Sequence, residues 1–257
     1  MSAALPWQIG CVPYLNARPL IYGIEDQVTL SPPSRLADLM YRGRFDAGLV
    51  PIAEVIQHDR YNVLDGIAIA TRGRIQSVYL VHREPIEKLK RVAVDTASRT
   101  SAWLVRIILQ YGYNVTPVFY PRPEGGKLSE HEAMMLIGDE ALWYRTRNGS
   151  QPILDLGEAW VELTGLPFVF AAWALQRGVD GKAIGGPLRT ARAQGLANIE
   201  RIVQDATEAT PEVRREYLTK NLSYELGAAE KQGIRRFQQY LKEMRLVDGC
   251  HDLRYVS

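Results

Sequence analysis

Short apolar runs bounded by turn residues alternate with amphipathic stretches along most of this chain. WQIGCV reads as a strand, followed by PLIYGIE as a short helix that Pro19 opens in its first turn. VTLSP reads as a second strand. SRLADLMYRG then has a helical period, with Ser34 placed as N-cap and Gly43 as the stop. DAGLVPI predicts a third strand and AEVIQHDRY another helix, which together give the βαβα rhythm of a parallel sheet covered on both faces. GIAIATRGRIQSVYLVH supplies two extended runs separated by a glycine-containing turn.

After the polar REPIEKLKR the rhythm restarts. RVAVD, TPVFYP and AMMLIGD read as strands, and TSAWLVRIILQYG and EALWYR as helices. A fresh βα series beyond a polar connection predicts a second lobe. LPFVFAAWAL then reads as a strand returning to the first lobe. The expected division is residues 1–84 with 172–257 for one lobe and 85–171 for the other. The tail is helical, and Ile234, Phe237, Leu241 and Met244 share one face of its last helix, the spacing of a packing stripe. The fold class expected is therefore α/β, two lobes with a ligand cleft between them.

Composition narrows the function. With 46% hydrophobic and 23% charged residues, 257 residues suffice for two lobes of ordinary size. A net charge of +2, with basic residues scattered, gives no nucleic-acid footprint. Two cysteines, Cys11 and Cys250, are too few for a disulfide scaffold and suit a reducing compartment. The opening MSAALPWQIG lacks the basic and apolar regions of a secretory leader, and no run is long enough to span a bilayer; a cytoplasmic protein is expected.

Ligands of open α/β sheets collect beyond the carboxyl ends of the strands. The junctions there are VPYLNARP, the loop around Ser77, VDTASRTS and LIGDEA. VDTASRTS is the most informative, because Thr96, Ser98, Thr100 and Ser101 crowd the start of an apolar helix. Hydroxyls and free N–H groups at a helix N-terminus suit a carboxylate or phosphate, whereas a cap needs only one of them. Asp139 ends a strand before a helix, a place for an N-cap or for a substrate contact. The standard catalytic templates are absent: HEAMM lacks the second histidine of a zinc helix, Gly125–Lys127 lacks phosphate-loop spacing, and neither GxGxxG nor GxSxG occurs. His58, His82, His131 and His251 show no metal spacing and are expected at the surface or in caps. No metal and no cofactor is expected.

VPYLNARPL, SRLADLMYRGRFDAGLVPIAE, IAIATRGRIQSVYL, VAVDTASRTS and LIGDEAL, in that order, resemble the signature segments of the chorismate dehydratase family of menaquinone biosynthesis. The resemblance covers the first lobe and much of the second. It implies a fold like that of the two-lobed (type II) periplasmic solute-binding proteins. It also implies a cytoplasmic enzyme of the futalosine route that removes water from chorismate to give 3-[(1-carboxyvinyl)oxy]benzoate. The related dihydroxynaphthoate synthase of the same pathway, or a non-enzymatic receptor for small anions, is the alternative on this fold. One departure is that Arg72 and Arg74 flank Gly73 in a turn that usually carries fewer basic residues.

On that resemblance Asn16 and Ser77 are the catalytic pair, with Asn16 donating to a substrate oxygen and Ser77 a second donor on the opposite wall. Tyr14 walls the pocket, and Thr96, Ser98, Thr100, Ser101 and Asp139 are the expected substrate contacts. The partner is a small dianion. No protein residue stands out as the base for the C3 proton; the substrate's own enolpyruvyl carboxylate is one candidate and a protein group the other.

Overall fold

The computed structural model describes residues 5–257 apart from 97, 124 and 148–150. Residues 1–4 of the opening segment and Ala97 of the DTASRTS junction thus lie outside the described residues. In chain order the elements of the first half are β1 (Ile9–Cys11), β2 (Val28–Leu30), α1 (Pro33–Tyr41), β3 (Ala47–Pro51), α2 (Ile52–Gln57) and β4 (Tyr61–Thr71). Then come β5 (Val78–His82), β6 (Arg91–Val94), α3 (Arg99–Ile107), β7 (Val118–Pro121), β8 (Ala133–Ile137), α4 (Gly138–Arg147), β9 (Ile153–Asp155) and α5 (Leu156–Thr164). The chain closes with β10 (Phe168–Gln176), α6 (Gly181–Ala197), α7 (Ile199–Asp205), α8 (Pro211–Glu216), α9 (Ala228–Glu243) and β11 (Arg254–Val256).

These strands form two sheets, ordered β11-β4-β10-β3-β1-β2 and β7-β6-β8-β5-β9. The parallel sheet expected from the βαβα rhythm is only partly parallel. β1 runs parallel to β2 and β3, but β10 returns antiparallel between β3 and β4, and β5 lies antiparallel to β8 and β9. β5 follows a direct crossing from β4 that is too short for the helix a parallel connection needs, whereas β10 reverses after a return that runs through α5. The chain passes to the second sheet between Thr71 and Val78, ahead of the expected boundary at residue 84. It comes back between Asp155 and Phe168, ahead of the one at residue 172.

Local differences have local causes. The first helix after β1 is a single 3-10 element over Leu15–Leu20, so Asn16 sits inside the turn and Pro19 near its end. α1 starts at Pro33 in the N1 position behind Pro32, which makes Ser34 a first-turn residue rather than the cap. β9, α5 and β11 have no counterpart in the sequence reading. His82 and His131 are buried, not superficial. His82 Nδ1 lies 2.8 Å from the Glu84 carbonyl, and His131 Nδ1 2.9 Å from the Tyr120 hydroxyl.

The apolar stripe of α9 packs inward. Phe237 meets Trp160 of α5 and Phe168 of β10 edge-on, at centroid distances of 6.0 and 5.0 Å, and clamps the second crossing. Burial of each such ring stabilises the fold by roughly 1.5–3 kcal/mol. Among the described residues no helix is long and apolar enough to cross a membrane.

Candidate active site

The carboxyl ends of β1, β3, β6 and β8 converge on the place where β4 hands the chain to β5. A cavity with about 610 Å³ of empty space, part of it open to solvent, lies there. Its polar lining is Tyr14, Asn16, Ser77, Ser98, Thr100 and Ser101. Apolar walls come from residues such as Val12, Leu49, Ile69, Ile137 and Phe170. Among the described residues that line it, none carries a charged side chain.

Six of the eight residues singled out from the sequence therefore share one cavity. Thr96 lines a neighbouring hollow with Glu54 and Arg99 instead. Asp139 stands one residue beyond Gly138, which does line the cavity, and its carboxylate accepts the Leu15 N–H at 3.5 Å. Burial pushes that carboxyl up to about 6, with the nearby Glu208 charge adding to the rise; the Leu15 N–H and Arg18 oppose it. Arg18 itself is engaged, 2.6 Å from Glu208.

The hydroxyls at the start of α3 have distinct tasks. Ser98 caps the helix, accepting the Ser101 N–H at 3.3 Å, and its own hydroxyl donates to Ser101 Oγ at 2.9 Å. Thr100 is buried and its Oγ1 accepts the Ala53 N–H of α2 at 3.1 Å, a bond between the two sides of the cleft. The hydroxyl protons of Thr100 and Ser101 are left over, and the helix dipole at this end favours an anion.

Ser77 is held from three directions. Gly138 N–H donates to its carbonyl at 2.7 Å, and Gly138 takes φ +57°, a left-handed conformation that glycine adopts without strain. The preceding Ile75 and Gln76 N–H groups both donate to the buried Asp155 carboxylate. The fully buried Tyr217 hydroxyl donates to Ser77 Oγ at 2.8 Å. Burial pushes the Tyr217 phenol up strongly, and the polar Ser77 and Asn16 side chains beside it offset part of that rise. Asn16 Oδ1 is buried with no partner among the described residues. Asn16 is expected as an amide donor; its buried Oδ1 adds an acceptor, which wants an O–H.

Tyr217 and Asp155 were missed in the sequence reading. Both sit in stretches that read as ordinary amphipathic helix or as nothing regular, and only the fold brings them to Ser77. The Arg72 and Arg74 charges that set this turn apart are answered locally, by Glu230 at 3.0 Å and Glu158 at 3.4 Å.

The family described as menaquinone biosynthesis matches residues 7–243. A chorismate dehydratase of Thermus thermophilus is 30% identical over 261 residues, covering 92% of this chain and 95% of that protein. Among solved structures, a protein of Archaeoglobus fulgidus superposes with a TM-score of 0.74 at 14% identity, covering 94% of this chain and 98% of the other. The alkanesulfonate-binding protein SsuA of Xanthomonas axonopodis does so with 0.63 at 16% identity, covering 96% of both. These likenesses in structure establish the two-lobed solute-binding-protein architecture. The match over nearly the whole length, in sequence and in fold, makes this chain a member of the menaquinone-biosynthesis family.

Proposed function

We propose that this chain is a chorismate dehydratase, removing water from chorismate to leave 3-[(1-carboxyvinyl)oxy]benzoate in the futalosine route to menaquinone, and that it works in the cytoplasm. The observation that carries the reading is the pairing of a whole-length relative of that name with a cavity that Asn16 and Ser77 both line.

The chemistry asks for little beyond placement. A base takes the C3 proton, the electron pair becomes the new ring double bond, the C4–O bond breaks, and the departing hydroxide takes a proton to leave as water. Aromatisation drives the step, so it proceeds without a cofactor. Asn16 Oδ1 accepts the C4 hydroxyl, and Ser77 donates to its oxygen, which fixes the leaving group. The α3 N-terminus, with Thr100 and Ser101, binds one carboxylate. With no carboxylate or imidazole among the described lining residues, the substrate's enolpyruvyl carboxylate is the base for C3.

The test is to add purified protein to chorismate and follow absorbance. The diene band should give way to that of a substituted benzoate. An unchanged spectrum at high enzyme concentration overturns the reading.

A further inference from the structure

Tyr217 opens the π-helical segment Tyr217–Asn221, and extra residues of this kind inside helices recur at functional sites. It is 1% exposed and is absent from the cavity lining, yet its hydroxyl ends 2.8 Å from Ser77 Oγ. The contact is part of a paired docking. Glu216, its neighbour, accepts from Gln76 Nε2 at 3.0 Å, so two successive residues of the tail hold two successive residues of the crossing segment.

We propose that Tyr217 is a positioning residue that sets the proton direction at both Ser77 and Asn16. A buried phenol has one proton. Given to Ser77 Oγ, it occupies a Ser77 acceptor position and turns the serine's own proton toward the cavity, which makes Ser77 a donor there. Asn16 lines the same cavity with its Oδ1 buried and unpartnered among the described residues; the phenol oxygen, its proton given away, can accept the Asn16 amide N–H, which leaves Oδ1 as the acceptor for the ligand. One hydroxyl thus makes one wall a donor and the other an acceptor. A single alcohol O–H, which donates once and accepts once, matches that pair, whereas a carboxylate or sulfonate does not. The inference rests on the dehydratase reading for its substrate, but the hydrogen-bond chain can be read without turnover.

Tyr217→Phe keeps the ring and deletes the hydroxyl. Chorismate kcat should fall about ten- to a hundredfold with KM nearly unchanged, because the group acts on the leaving oxygen rather than on the carboxylates. In a double-mutant cycle with Ser77→Ala the two losses should not multiply, since both remove the same donor. In ¹⁵N-labelled protein without substrate, the Asn16 side-chain amide resonances should shift on Tyr217→Phe. Full activity in Tyr217→Phe, or losses that multiply, overturns the proposal. Unmoved Asn16 resonances overturn it even where the parent proves inactive on chorismate, a result that by itself would count against the dehydratase reading alone.

Discussion

The carboxylate of Asp155 accepts the backbone N–H of Gln76 at 2.8 Å, and Gln76 is a non-glycine residue with φ +63°. The same carboxylate also takes N–H groups from Ile75, Gly157 and Glu158, which ties the first crossing between the sheets to the start of α5. A Cβ on Gly157 would come within 2.6 Å of the Gly73 carbonyl, so the two backbones meet where no side chain fits. Ser77 follows immediately, and its place in the cavity depends on this knot.

Asp155→Asn replaces one acceptor oxygen with a donor facing donors. The variant should lose about 1–3 kcal/mol of stability, the cost of buried groups left unpaired. Chorismate turnover should drop with it, because one of the three holds on Ser77 is loosened. Thermal melting and kinetics on one preparation check this; an unchanged melting point would mean that the knot does not hold the crossing.

Asn16→Asp keeps the side-chain size and adds a charge beside a dianion. For charges about 4 Å apart at an effective dielectric near 20, the repulsion is about 4 kcal/mol, or roughly three decades in rate or affinity. The loss should ease at lower pH as the new carboxyl takes up a proton. Turnover within a few fold of the parent at an unchanged melting point would remove Asn16 from the substrate contact.

Asp139 makes stability depend on pH. Its folded carboxyl holds its proton up to about pH 6, while an unfolded chain releases it near about 3.9. The folded state therefore binds the extra proton between these values, and this group's contribution declines as pH rises through that window, levelling off above it. Asp139→Asn, which keeps an acceptor for the Leu15 N–H, should gain in melting temperature over the parent from pH 4 to pH 7. A difference that stays flat or shrinks across that range would contradict the raised value.

The α3 hydroxyls separate folding from binding. Ser98→Ala removes a cap worth about 1 kcal/mol and should lower the melting point. Thr100→Ala should weaken substrate use by about ten- to a hundredfold, the loss of a hydrogen bond to a charged group. Normal kinetics in Thr100→Ala would leave that hydroxyl with only the Ala53 contact.

The sequence reading reached the cavity because its junction residues lie near the ends of strands whose apolar runs are unmistakable. Tyr14, Asn16, Ser77, Ser98, Thr100 and Ser101 all follow that rule. Tyr217 and Asp155 do not, since each acts through tertiary contacts with residues 140 and 80 positions away. No local period carries such information. The antiparallel return of β10 was equally hidden, because its alternation is that of any buried strand and its direction is set by where the chain crosses back.

Proton NMR of chorismate incubated with the parent protein reads the elimination itself. Ring resonances should move to the aromatic region while both vinyl protons of the enolpyruvyl ether persist, as one product forms and water is the only loss. Chorismate left intact, or an aromatic product that has shed its enolpyruvyl group as pyruvate, would contradict it.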